Sequence, residues 1–335
     1  MRRVLKILGG IVLVLVVGVA ALLAWLSAKK PAMRVPSVEK IEATPERLAR
    51  GKYLVENVTH CLGCHSDAFF DRFALPTRPG TEGQGGFAFD KKLSVPGVVQ
   101  AQNITSDPKN GIGGWTDGEV MRAIREGVNQ DGEAMFPMMP YPNYRMLSDE
   151  DTKAIVAYLR QLAPIDHAVA PRKLDFPVNF VVKFIPEPLA GPVPEPDRSN
   201  TVAYGKYLST VAGCIFCHTP VDDKHRAIAG QEGAGGWVLT GPWGRVLSAN
   251  ITPDPDTYIG KASREEFIDR FKSLEHLDGE NAPIAPPGKN TVMAWPRFGR
   301  MTREDLGAIY DYLKTLKPIK KTVVTFPDAP AGSGS

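Results

Sequence analysis

The chain has 335 residues, a formal charge of +3 and a globular composition with 43% hydrophobic and 23% charged residues. That length points to two domains, and 29 prolines with 32 glycines favour small loop-rich units over long regular elements. Five basic side chains (Arg2, Arg3, Lys6, Lys29, Lys30) and no acid lie in residues 1–30, so the remainder is slightly acidic and lacks the basic stripe of a nucleic-acid binder.

Ile7 to Leu26 is a 20-residue run without a charge. As a helix it spans about 30 Å, one hydrocarbon core. A cleaved signal peptide is the competing reading, but Leu26-Ser27-Ala28 is a poor A-x-A-like cleavage site. Residues 1–30 are therefore read as an uncleaved membrane anchor, and residues 31–42 as a Pro-containing tether. Thr44-Pro45-Glu46 then gives an N-cap with Pro at the first helical position.

The helix leads into Cys61-Leu62-Gly63-Cys64-His65, and Cys214-Ile215-Phe216-Cys217-His218 repeats the pattern. Each is C-x-x-C-H, the attachment signature of c-type haem. Two thiols form thioethers with the haem vinyls, and the next residue offers its imidazole to the iron. All four cysteines lie in these motifs. A zinc site would need further soft ligands, and a thioredoxin-like pair does not require the histidine. Two covalently bound haem c groups are expected, on Cys61, Cys64, Cys214 and Cys217, with His65 and His218 as iron ligands. Such attachment takes place on the outer face of the bacterial inner membrane, which places everything after Lys30 in the periplasm.

The motifs belong to a longer internal repeat. Gly51-Lys52-Tyr53-Leu54 recurs as Gly205-Lys206-Tyr207-Leu208, and Glu82-Gly83-Gln84-Gly85-Gly86 as Glu232-Gly233-Ala234-Gly235-Gly236. Asn103-Ile104-Thr105 recurs as Asn250-Ile251-Thr252, and Met139-Pro140-Tyr141-Pro142 as Met293-Ala294-Trp295-Pro296. Each unit closes with a helix opened by a capping box, Ser148 with Asp151 and Thr302 with Asp305, and stopped by Pro164 or Pro318. The repeat divides the chain into domains at 43–165 and 199–320. Between them, the Pro-rich segment 166–198 carries Phe176, Val178, Phe180, Val181, Val182, Phe184 and Ile185. It reads as a strap packed across both domains, in preference to a membrane-touching segment. Residues 321–335 read as a loose tail.

The repeat also filters candidates for the second axial ligand. Of nine methionines, Met139 and Met293 coincide, 74 and 75 residues after His65 and His218. Met138 is the runner-up in the first domain. Outside the motifs no histidine has a repeat partner. His/Met ligation raises the potential and closes both axial positions, which suits an electron carrier.

The assembled motifs resemble the membrane-anchored multihaem cytochrome c subunits of bacterial alcohol and gluconate dehydrogenase complexes. The resemblance rests on Cys61–His65, Asn103-Ile104-Thr105, Gly113-Gly114-Trp115-Thr116-Asp117, Met139-Pro140-Tyr141-Pro142, Leu147-Ser148-Asp149-Glu150-Asp151 and Leu174-Asp175-Phe176-Pro177-Val178-Asn179. It implies an all-α fold of two tandem, class I-like cytochrome c domains after an N-terminal transmembrane helix. The first and last helices of each domain would cross at Gly51 with Tyr158 and at Gly205 with Tyr312. It also implies that Asn103, Thr105, Asn250 and Thr252 lie beside the haem propionates. The subunits resembled have three haems and this chain has two motifs; its second domain also carries an insertion near Asn281–Gly288.

The expected function is periplasmic electron transfer. Single electrons would pass from a membrane-associated dehydrogenase or quinol-oxidising partner to a downstream respiratory acceptor, a cytochrome or an oxidase, with no catalytic residue in the chain. The alternative is a dihaem peroxidase-type enzyme with one displaceable axial ligand, for which His276 is the tempting distal residue. A haem-based sensor ranks last, since no output domain is visible.

Overall fold

A computed structural model describes residues 2–93, 95–223 and 226–328. The apolar run forms α1 (Arg2–Ala28), 27 residues with no residue buried inside the protein. Among the described residues it is the one helix long and apolar enough to cross a membrane, a test that a signal sequence also passes.

Two similarly built halves follow. In the first, α2 (Pro45–Tyr53) starts on the Thr44 cap and runs into a π-helical turn, Leu54–Val58. The short α3 (Cys61–Cys64) carries the first motif. Strands β1 (Ala88–Phe89) and β2 (Gly97–Gln100) follow, then α4 (Asp117–Glu126), α5 (Tyr141–Tyr144) and α6 (Asp149–Leu159). β3 (Lys173–Leu174) and α7 (Val178–Val181) belong to the connecting strap.

The second half repeats the plan with α8 (Thr201–Val211), α9 (Cys214–Cys217), the hairpin β4 (Val238–Gly241) and β5 (Gly244–Leu247), and α10 (Tyr258–Lys261). It continues with α11 (Arg264–Lys272), α12 (Trp295–Gly299) and α13 (Arg303–Leu313). The expected all-α class is therefore amended. β1, β2 and β3 form an antiparallel sheet in that order, with Gly97 opposite Leu174, and β4 pairs with β5.

Each half is held by its first and last helices. A Cβ on Gly51 would lie 1.9 Å from the Ala154 carbonyl oxygen, and one on Gly205 1.8 Å from that of Ala308. Tyr158 Cβ and Tyr312 Cβ are the next neighbours, as expected for the two crossings. Around them, Leu54, Val58, Ile155 and Leu159 in one half, and Leu208, Val211, Leu306 and Ile309 in the other, are buried in a continuous core.

The expected capping boxes at the last helices are only half formed. Ser148 accepts from Asp151 N and Thr302 from Asp305 N, but the two carboxylates turn away across the seam between the halves. Tyr53 donates to Asp305 Oδ2 at 2.6 Å, and its repeat partner Tyr207 donates to Asp151 Oδ2 at 2.6 Å. Arg50 adds a two-pronged contact to Asp151. Complete boxes occur instead at Thr116–Glu119 and Ser263–Glu266.

The insertion near Asn281–Gly288 forms the other side of the seam. Phe73 N donates to Pro283 O, Ala285 N donates to Asp71 O, and Asn290 Nδ2 donates to Phe70 O and Arg72 O.

Three segments depart from expectation. Residues 31–42 are docked rather than a free tether: Ile41 N donates to Asp117 Oδ2, and Arg34 Nε lies 2.5 Å from the buried Glu126 carboxylate. That ion pair is close but not aligned as a hydrogen bond. Residues 321–328 are not loose, since Thr325 O accepts from Leu247 N and Arg245 grips Asp328; residues 329–335 lie outside the described residues. The strap, expected to pack across both domains, leaves Phe176, Val181, Phe184 and Ile185 exposed.

Candidate functional site

Each cysteine pair occupies one helical turn, entered through a left-handed residue. Gly213 takes that conformation at φ 73° in the second half. His60 takes it at φ 37° in the first, a cost glycine does not carry. The ring of His60 meets Phe298 edge-on at 5.5 Å across the seam. Burial first, then Arg297, lowers its pKa to about 4.

The two motif histidines are oriented identically. His65 Nδ1 lies 2.6 Å from Gln102 O, and His218 Nδ1 lies 2.7 Å from Ala249 O. A carbonyl can only accept, so Nδ1 carries the proton and Nε2 keeps its lone pair. Burial lowers both pKa values, with the carbonyls opposing it, so both imidazoles are neutral and able to bind metal.

The carbonyl that orients each ring is itself clamped. Asn103 Nδ2 donates to Ile165 O and His167 O, while Oδ1 accepts from Thr105 N and Oγ1. In the second half, Asn250 Nδ2 donates to Ile319 O and Lys321 O, and Oδ1 accepts from Thr252 N and Oγ1. These four side chains, expected beside propionates, spend their donors tying the haem-side loop to the chain after the last helix. Gly85 and Gly235 complete the clamp: Gly85 N donates to His65 O and Gly235 N to His218 O. Both have positive φ, and a Cβ on either would strike the backbone near residue 102 or 249. Gln102 and Ala249 were missed in the sequence because a backbone acceptor leaves no side-chain mark; the repeated Asn-Ile-Thr after them was the available signal.

The thiols are free, with Cys61 and Cys214 half-buried and Cys64 and Cys217 exposed. Burial nonetheless pushes the Cys64 and Cys217 thiols up to about 11 and Cys214 to about 12. Thiols kept protonated are unsuited to disulfide-exchange chemistry at neutral pH. Among the described residues no cluster of three or more His, Cys, Asp or Glu could hold a metal ion, so zinc is not favoured. Two thiols one turn apart, beside a neutral imidazole with Nε2 free, fit covalent haem.

Met139 and Met293 are half-buried and pack against the core, and each accepts through its carbonyl from the residue two positions on, Tyr141 or Trp295, at 2.8 Å. Met138 is also half-buried. His276 lies exposed just after α11.

A cleft of about 830 Å³ lies at the seam and is lined by Arg50, Tyr53, Tyr204 and Arg264, away from the cysteines. Another, about 480 Å³, flanks the first motif with Leu62, Thr77 and Glu82 and receives Arg297 and Arg300 from the second half. Donor chemistry, not cleft size, marks the site.

A family model described as cytochrome c matches residues 48–163. The chain is 30% identical over 331 residues to a diheme cytochrome c-type of Cereibacter sphaeroides, covering 96% of this chain and 100% of that protein. It is 29% identical over 291 residues to the cytochrome c subunit of an alcohol dehydrogenase (quinone) of Gluconacetobacter polyoxogenes, covering 83% and 58%. With the gluconate 2-dehydrogenase cytochrome c subunit of Pantoea cypripedii it shares 28% over 303 residues, covering 86% and 64%. It thus spans about three fifths of the length of these dehydrogenase subunits. Covalently bound haem c follows from the cytochrome c match and the donor geometry. The chain belongs to the c-type cytochromes, in the family of the diheme protein of Cereibacter sphaeroides.

Proposed function

We propose that the chain is a two-haem electron carrier of the periplasm, held at the inner membrane by α1. Each half acts as one cytochrome c domain that would hold one haem, with His65 and Met139 the residues to ligate its iron in the first and His218 and Met293 in the second. Single electrons enter from a membrane-associated dehydrogenase or quinol-oxidising partner and leave to a respiratory acceptor. The chain itself is not an enzyme.

The observation that carries this reading is the duplicated orientation of His65 and His218, each locked by the same carbonyl and Asn-Ile-Thr clamp. The cytochrome c subunits of dehydrogenases among the relatives support the donor class. When bound, the haem supplies a one-electron couple. The chain's residues keep the imidazoles neutral and aimed, hold the thiols in place, and offer thioethers from matched turns. Met139 is preferred to Met138 because it packs on the core as Met293 does.

The test is haem stoichiometry with ligand spectroscopy. Two haems per chain are expected, falling to one in Cys214→Ala/Cys217→Ala. Met139→Ala and Met293→Ala should each convert one low-spin centre to a high-spin or ligand-accessible one with a lower potential. A single haem, or unchanged spectra in both methionine variants, would overturn the assignment. Peroxide turnover dependent on the exposed His276 would restore the enzymatic alternative.

A further inference from the structure

The strap exposes its apolar side chains where the anchor ends. Phe176 is 73% exposed, Val181 and Phe184 53%, and Ile185 38%, while Val182 is held inside. From this segment Lys183 Nζ donates to Leu26 O at 2.9 Å and to Ser27 O at 2.8 Å. These are among the last carbonyls of α1, which have no partner within the helix and sit at its negative end. The Lys29 ammonium lies 5.1 Å from the Phe184 ring centroid and 5.5 Å from that of Trp25. The strap and the end of the anchor are thus one assembly.

That contact fixes a depth. A helix of 27 residues is about 40 Å long, more than a hydrocarbon core of roughly 30 Å. With the charge-free run Ile7–Leu26 spanning that core, the last turn, with the exposed Trp25, lies at its boundary, the headgroup level where such residues concentrate. Whatever is bound to that turn lies at the same level. The docked segment 31–41 adds a second restraint, through Arg34 with Glu126 and Ile41 with Asp117, so the first half does not hang away from the helix end.

We propose that residues 176–185 form a second membrane contact, lying in the headgroup–acyl boundary of the lipid bilayer beside the anchor. This rests on the reading of α1 as a retained anchor. Phe176, Val181, Phe184 and Ile185 enter the boundary, and the exposed Lys30 faces anionic headgroups while Lys29 and Lys183 tie the strap to the helix end, as in interfacial amphipathic segments.

The test uses the full haem-loaded chain in vesicles of phosphatidylcholine and phosphatidylglycerol, doped with a phospholipid photoactivatable near the top of its acyl chain. Crosslinks are mapped by mass spectrometry. Labelling is expected in both α1 and 176–185. In Phe176→Ser/Phe184→Ser it should fall severalfold in the segment and stay unchanged in α1, with haem content unaltered. Labelling of α1 without the segment overturns the proposal and leaves the patch facing a protein partner, while the anchor stands. Labelling of neither overturns the anchor and this proposal together.

Discussion

Arg297 carries a charge from the second half to the motif of the first. It is 6% exposed and donates to Thr77 Oγ1, a hydroxyl that in turn reaches Leu62 O inside Cys61–His65. Burial is the largest influence on its pKa and lowers it, opposed by Asp278. A cation held here disfavours ferric iron, which carries one more positive charge than ferrous. Arg297→Gln should therefore lower the midpoint potential of the N-terminal centre. The shift expected is about 59 mV for a tenfold change in the one-electron equilibrium. Spectroelectrochemical titration reads it, with Arg297→Lys retaining part of the effect. At this scale the expected covalent contacts are the most direct reading of the sequence, because C-x-x-C-H writes its chemistry in side chains. It could not name Arg297, whose repeat position in the first half is Asn143 and whose role comes from the other half.

The helix crossings and the seam belong to the element scale. Gly51→Ala or Gly205→Ala would drive a methyl into the Ala154 or Ala308 carbonyl. Overpacking of this kind costs about 1–3 kcal/mol and occasionally more. Either variant should lower the thermal midpoint, measured by circular dichroism, and Gly51→Ala should also reduce haem retained by the first half. The seam makes a pH prediction. Burial, reinforced by Asp305, raises the Tyr53 pKa; burial, reinforced by Asp151, raises that of Tyr207. A raised folded-state pKa gives stability fully present below the unfolded value near 10 and lost as pH climbs above it. Denaturant midpoints should therefore drop between pH 8 and pH 11. Tyr53→Phe or Tyr207→Phe should cost about 1.5–3 kcal/mol at pH 8, the range for a hydrogen bond to a charged group, and flatten the alkaline loss. Ser-x-x-Asp and Thr-x-x-Asp announced helix starts correctly, but not that Asp151 and Asp305 would leave their caps for a tyrosine of the other half. Local propensity sees the cap; only the assembled molecule sees the competitor.

Over the whole molecule, the repeat was the most legible feature, since the matched glycines, C-x-x-C-H motifs and closing helices fall on corresponding helices of the two halves. Loops lying between motifs were the least legible. Segments 31–42, 176–185 and 321–328 have no strong periodicity, and their partners are distant in the chain, so composition alone gave a tether, a strap across both domains and a loose tail. The insertion at Asn281–Gly288 was visible as extra length but not as the strip that covers residues 70–74.

The docked stretch from Pro31 to Ile41 changes how such a carrier meets its partners. A globule on a slack leash sweeps a dome of space and can hand over cargo at many angles. With α1 retained as proposed, a globule bolted down beside its own stalk presents one fixed aspect, so the travelling must be done by whatever comes to it.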